Sequence, residues 1–438
     1  MILQTTTIAR NTFIESVRQP VYFIVLVLAG LLQVFTTWST AYSMGYTTSA
    51  EVSKDNKLLL DIGLATIFVA GVLLAAFVAT AVLSREIETK TVLTVVSKPI
   101  SRASVIFGKY LGVAGAITVA VVIMTVYLLL GLRHGVMSTA ADAPDYPIIV
   151  FSTGAVALSI GVAGWCNFYY GWSFPQTASL LLLPAILLAY LLALLVGKEW
   201  KLQPISTDFK PQITIACAAI LLALLVLSAV ATAASTRLGQ VMTIVVCAGV
   251  FLLGLLSNHL LGRHAYRNHA VGIVESSAPV LASRAAFDRS GDEMHVVLRA
   301  PPKAEIRRGA PIFYGPNPSG FMLAGGGTGA PGEESRGVVA THVDGRELTL
   351  TIRGESPIPE RPPSPGDHLF LRPTQVNAAA AGLFAVVPNF HHYWLTDAVS
   401  QNNPIPPSHL VMLAGYAGTQ IAAFLALAVL LFQRRDVG

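Results

Sequence analysis

Between Ser84 and Gly112 the chain reads SREIETKTVLTVVSKPISRASVIFGKYLG, setting Arg85, Glu86, Glu88, Lys90, Lys98, Arg102 and Lys109 among apolar residues. Glu86 and Glu88 invite comparison with a general acid and base. Two residues apart, however, they point to different faces of a helix, and Arg85 and Lys90 beside them favour ion pairs with solvent or a partner. Val92, Leu93, Val95 and Val96 form an apolar ridge that Pro99 ends. An amphipathic helix of this kind presents charge-assisted contacts around a buried anchor. A charge at the bilayer centre costs about 2.5–3.5 kcal/mol, so burying those from Arg85 to Arg102 in hydrocarbon would cost well over 10 kcal/mol. The segment therefore belongs in water or against another protein.

Other chemistry-bearing residues give weaker signals. His391, His392, Asp397 and His409 include side chains able to hold zinc or copper. The surrounding run Asn389-Phe-His-His-Tyr-Trp394 equally fits an interfacial helix with its rings at headgroup level, so His391 and His392 are weak metal candidates and no metal site is assigned. There is no GxxxxGK[ST] phosphate loop, and Gly325-Gly-Gly-Thr-Gly329 lacks the following Lys and helix that a phosphate cradle needs. No GxSxG elbow or HExxH pair occurs, so no catalytic residue is assigned. Cys166, Cys217 and Cys247 lie within apolar runs, and an odd number without a CxxC pair argues against disulfides and zinc alike. Gln33 and Asn258 are the notable polar residues within apolar runs, suited either to lining a pathway or to helix–helix hydrogen bonding.

The elements that must position these residues are membrane spans. Of 438 residues 53% are hydrophobic and 12% charged, with a mean hydropathy of +0.62, against about 25% charged in soluble domains. A net charge of +5 suits loops facing anionic lipid better than nucleic acid, because no basic cluster or aromatic platform accompanies it. Residues 1–20 read as an interfacial amphipathic helix with Ala9, Phe13 and Val17 on one side. About twenty residues cross a bilayer, and eight apolar runs qualify, near 21–42, 62–83, 106–131, 148–165, 178–197, 212–234, 240–261 and 409–432. Seven of these fall in 21–261, and the eighth lies in a closing segment, 409–438. Eight crossings return both termini to one side. Nine short-loop Lys and Arg residues on that side against six on the other place the termini, and the segment 84–105, in the cytoplasm of a cell-membrane protein.

Residues 262–405 differ in kind, holding 13 acidic and 13 basic residues, about half of all the chain's charges. Short β-type runs at His295–Leu298, Pro311–Tyr314, Gly337–His342, Leu348–Ile352 and His368–Leu371 alternate with Gly- and Pro-rich turns. The expected fold is thus an all-α polytopic membrane protein of about eight helices with an inserted small β-rich extracytoplasmic domain at 262–387, a sandwich or barrel. An interfacial segment at 388–408 leads into the last span.

Glu86-x-x-x-x-Thr91, Ser97-Lys-Pro99-x-x-Arg102 and Gly108-Lys109 together resemble the signature of type-2 ABC-transporter permeases (the ABC-2 class). The nearest branch includes the nitrous-oxide-reductase maturation and gliding-motility permeases. Ala234-Ser-Thr-Arg237, Pro388-Asn389 and Phe432-x-Arg-Arg-Asp436 are similar to that family as well. The resemblance implies that Glu86, Glu88, Thr91, Ser97, Pro99, Arg102, Gly108 and Lys109 serve coupling to a separate cytoplasmic ABC ATPase. ATP would then be bound by that partner and no cofactor by this chain. It also implies pairing of two permeases, identical or different, and a transport subunit that is not an enzyme by itself. The family core has six spans, so two helices around 148–197 and the β-domain are additions on which the resemblance places no function. The expectation is a permease that drives export or acts on an extracytoplasmic protein through its β-domain. The alternative is a structural or sensory membrane protein whose β-domain binds such a partner.

Overall fold

The structure, a computed structural model, describes residues 2–40, 49–88, 101–135, 144–280, 287–321, 323–328, 336–354, 361–400 and 405–433. It divides into two compact units, Met1–Leu253 with Phe390–Gly438, and Gly254–Asn389.

The first unit is helical. Its long elements are α1 (Ile2–Arg18), α2 (Pro20–Thr40), α3 (Ser49–Glu88), α4 (Arg102–His134), α5 (Tyr146–Tyr170), α6 (Phe174–Leu195) and α7 (Pro211–Ser235). They are followed by α8 (Gln240–Ser257), which runs on into a π-helical turn at Asn258–Gly262 and a last turn at Arg263–Ala265. After the inserted second unit the chain returns to the helices through the short α10 (Thr396–Ser400) and ends in α11 (Pro407–Gln433). Among the described residues eight helices are long and apolar enough to cross a membrane, one for each run read from the sequence, so the chain is a polytopic membrane protein.

Helix ends follow local chemistry. Pro stands at the first helical position of α2, α7 and α11, where its missing N–H is not needed. Ser101 caps α4 by accepting from Ser104 N at 3.1 Å, and Asp145 caps α5 by accepting from Ile148 N at 3.4 Å. α3 begins at Ser49, in a polar stretch ahead of the span near 62–83. Lys54, Asp55 and Lys57 shorten the apolar span without breaking a helix, because nothing between Ser49 and Asp61 is Gly or Pro.

α4 is the axis of this unit and packs against α1, α2, α3, α6, α7 and α11. With 33 residues it is about 50 Å long at 1.5 Å per residue, well beyond the roughly 30 Å hydrocarbon core. α1 and α2 run beside it in the same direction. Thr5 and Ile8 meet Gly108, Ala9 to Phe13 meet Gly112, and the Tyr22 hydroxyl donates to Ala116 O at 2.8 Å. Thr37 then lies beside Gly131. The i, i+4 pattern of residues 1–20 thus makes a helix whose partner is the first third of α4.

The second unit contains a β-barrel. Its strands are β1 (Tyr266–Arg267), β2 (Gly272–Pro279), β3 (Glu293–Leu298), β4 (Phe313–Gly315), β5 (Ala324–Gly325), β6 (Gly327–Thr328), β7 (Arg336–Asp344), β8 (Glu347–Arg353), β9 (His368–Phe370) and β10 (Gln375–Val376). Eight strands are ordered β5-β4-β9-β2-β3-β8-β7-β6 with antiparallel neighbours, and β1 pairs with β10 as a separate ribbon. The residues leading into β4 close the sheet onto β7, with Ile312 N donating to Val338 O at 2.9 Å and Gly309 N to Ala340 O at 2.7 Å. Closure removes open edges. Alternation fills the interior, as Met294, Val296 and Leu298 of β3 face Leu348 and Leu350 of β8 in one buried cluster. Arg361 clamps Asp367 with Nη1–Oδ2 at 2.6 Å and Nη2–Oδ1 at 2.9 Å, and its guanidinium lies 5.8 Å from the Tyr314 ring centroid. Burial, more than the opposing pull of Arg361, raises the Tyr314 phenol pKa above its usual value. The five sequence-read strands are present, while β1, β2, β5, β6, β10 and a helix α9 (Ala378–Val386) are additional.

Candidate functional site

The site is built where α3 ends, α4 begins, and α7 and α11 end. α3 carries Glu86 and Glu88 in its last turn. Their side chains, with Thr91, Ser97 and Pro99, lie outside the described residues, as does the Val92–Val96 ridge. From Arg102 onward the geometry is explicit. Arg102 Nη1 donates to Gln433 O at 2.7 Å and to Phe432 O at 3.3 Å, and its guanidinium stands 6.0 Å from the Phe432 ring centroid. Arg237, in the turn after α7, donates from Nε to Leu431 O at 3.1 Å. Two cations therefore hold the carbonyls of the last turn of α11, which have no partners within the helix and form its negative end.

Beneath them Ile106 and Tyr110 of α4, Ala229 and Ala233 of α7, and Leu425, Ala428 and Phe432 of α11 form one buried cluster. Residues from three sequence motifs, the first and last over 300 apart in the chain, are thus joined at one end of the bundle. Arg102 reaches its partners across 330 and 331 residues. The start of α1 and the end of α11 lie at this same end, as an even number of crossings requires.

Gly108 and Lys109 face inward. A Cβ on Gly108 would lie 2.8 Å from Ile8 Cβ and 2.9 Å from Thr5 O, so the absent side chain is what lets α1 approach. Gly112 is tighter still, 2.5 Å from Ala9 O and 2.8 Å from Phe13 N. Lys109 is 5% exposed. These residues brace the segment, while Glu86 and Glu88 lie on the helical turn that enters it.

The opposite end of α4 carries a node that sequence reasoning did not single out. Arg133 Nε donates to Asp208 Oδ2 at 2.9 Å, Nη2 donates to Val196 O at 2.7 Å and lies 3.8 Å from Asp145 Oδ2, and Nη1 donates to Ala193 O. Gln203 Nε2 adds a bond to Asp208 at 2.5 Å. Arg133 and Asp145 have side chains only 6% and 5% exposed. One guanidinium thereby ties the end of α4 to the start of α5, the carboxyl end of α6 and the loop before α7. The sequence signal was an Arg ending an apolar run with acids in the next two loops.

Gln33 is 6% exposed and faces a cavity of about 10 Å³, room for one water, lined also by Thr36, Thr37, Leu59, Tyr127 and Gly131. Among the described residues neither of its amide atoms has a hydrogen-bond partner. Asn258, by contrast, accepts from Asn389 Nδ2 at 2.7 Å, the hydrogen-bonding alternative for that residue. His391 is exposed, and the His392 ring packs edge-on to Tyr416 at 6.1 Å. Burial, then the charges of His391 and His409, lowers the His392 pKa. No group of three His, Cys, Asp or Glu able to hold a metal occurs among the described residues, and the Asp397 side chain lies outside them.

Residues 6–163 match the family model described as ABC-2 family transporter protein. The matched segment runs from α1 into α5, taking in Ser84–Gly112, the α1–α4 contact and part of the first helix read as an addition. Comparison with curated proteins gives no match. Comparison with solved structures gives none either.

Proposed function

We propose that this chain is the membrane-spanning permease subunit of an ATP-binding cassette transporter. A separate cytoplasmic ATPase binds and hydrolyses ATP, and this chain turns its closure into movement of the spans, for export or for work on an envelope partner. The observation that carries the reading is the convergence at the Arg102 end of the bundle, within and beside the segment similar to ABC-2 transporters. Glu86, Glu88, Thr91, Ser97 and Pro99 form the partner-facing part. Arg102, Gly108 and Lys109 anchor it to α11 and α1, so that force on residues 84–100 is delivered to α1, α4 and α11 as a rigid body. In this reading that end is cytoplasmic, in a cell membrane, and both termini lie there. The lipid-facing sides of α2 and α8, with Leu31, Phe35, Leu252 and Leu256 half or more exposed, leave room for a second permease, identical or different. The motif order supports the branch with the nitrous-oxide-reductase maturation and gliding-motility permeases.

The test is copurification from native membranes. An ATPase carrying a phosphate-binding loop is expected to accompany the wild-type chain, and Glu86→Lys with Glu88→Lys is expected to abolish that pairing while leaving the thermal unfolding midpoint unchanged. Purification without an ATPase, or pairing that survives both charge reversals, would sink the reading.

A further inference from the structure

α9, the helix Ala378–Val386, is AAAAGLFAV, without one polar side chain, yet Leu383 and Val386 are 60% and 68% exposed. Asn377 caps it, accepting from Ala379 N at 3.2 Å and Ala380 N at 3.4 Å, so the helix is well defined. Its one buried residue is Phe384, which sits against Gly262 and meets the Tyr266 and Phe321 rings edge-on at 6.1 and 5.4 Å. α9 therefore packs on the π turn and final turn that prolong α8, and those turns belong to the membrane-span candidate Gln240–Ala265. A crossing that starts at Gln240 uses about twenty residues, which brings Asn258–Gly262 to the headgroup boundary. α9 packs on those turns, with Leu383 and Val386 left exposed beside them.

Charge supports the same placement. From Gly254 to Val274 and from His368 to Thr396 the chain has no Asp or Glu, while Arg263, Arg267 and Arg372 are exposed. The β1–β10 ribbon, with Arg267 opposite Gln375, joins the two segments. Arginines rimming an apolar surface can reach lipid phosphates while their stems stay in the interface.

We propose that α9 and this arginine rim are a bilayer-docking surface, with Leu383 and Val386 inserted among lipid acyl chains and the arginines on anionic headgroups. The unoccupied side of α9 takes lipid.

The test is spin-label accessibility of the full chain in nanodiscs of phosphatidylcholine with phosphatidylglycerol. Labels at Leu383→Cys and Val386→Cys, in a Cys166→Ser background, are expected to show an oxygen-to-nickel-chelate accessibility ratio at least fivefold above a label at Glu347→Cys on the barrel. Replacing Arg263, Arg267 and Arg372 together by Gln is expected to lower that ratio at least twofold. Nickel access equal to that at Glu347→Cys would place α9 in water. Shielding from both reagents would mean that protein, a second copy or a partner, covers it. Either result overturns the proposal, and a ratio unchanged by the Gln variant would overturn the role given to the arginines.

Discussion

Replacing Arg133 by Met is expected to destabilise the protein by about 3–5 kcal/mol, the cost of leaving buried charge without its partner. Asp145 and Asp208 would each lose their cation, and the Ala193 and Val196 carbonyls would lose a donor. Asp145 is almost wholly buried and also caps α5, so it cannot turn to solvent without giving up the cap. The loss should appear as a fall of roughly 10 °C in the detergent unfolding midpoint. Arg133→Lys is expected to recover only part of it, because an ammonium cannot serve four acceptors in a planar fork. Asp208→Asn should be milder, since that side chain is 30% exposed and solvent can replace the bond. A fall below about 1 kcal/mol for Arg133→Met, the range of surface ion pairs, would mean that the node does not hold α5 and α6 to α4.

Gly112→Val is expected to separate α1 from α4. Its Cβ alone would stand 2.5 Å from Ala9 O and 2.8 Å from Phe13 N. Both are backbone atoms, so rotamer changes cannot relieve the clash. Overpacking of a tight core costs about 1–3 kcal/mol, and here the upper end is expected because a whole helix must shift. The readout is a disulfide between Ile8→Cys and Gly108→Cys, whose Cβ positions adjoin at 2.8 Å, and its formation should fall at least tenfold in the Gly112→Val background. Gly415→Val is the control, since nothing lies within 4 Å of a Cβ there. Undiminished cross-linking would show that α1 is not held by this contact. If the transporter reading is right, Gly112→Val also uncouples ATP hydrolysis from transport.

The spans were legible because apolarity over twenty residues is a local property, and each of the eight runs became a helix. Helix ends were less so: α3 continues from the span through Ser84 to Glu88, since charge ends a span but not a helix. Within the barrel, β3 and β8 alternate cleanly and were read, whereas β2 carries an irregularity between Val274 and Ser276 that disrupts its two-residue period. α9 escaped notice because a run of alanines gives no amphipathic period. In the candidate site Arg102 holds Phe432 and Gln433, more than 300 residues away, a contact that local spacing does not reveal. Arg133 with Asp208, 75 residues apart, is the same kind of contact, fixed by helix packing rather than by spacing. Gly108 and Gly112 stand four residues apart, and that spacing acquires a meaning only once α1 is known to cover it.

The central claim is that the segment between α3 and α4 seats in a cytoplasmic ATPase. The most direct measurement is a photo-crosslinker at Val92, irradiated in native membranes, with the adduct identified by mass spectrometry. The account predicts an adduct to an ATPase bearing a phosphate-binding loop, lost when Glu86 and Glu88 are reversed to Lys. An adduct only to lipid or to this chain itself would contradict it.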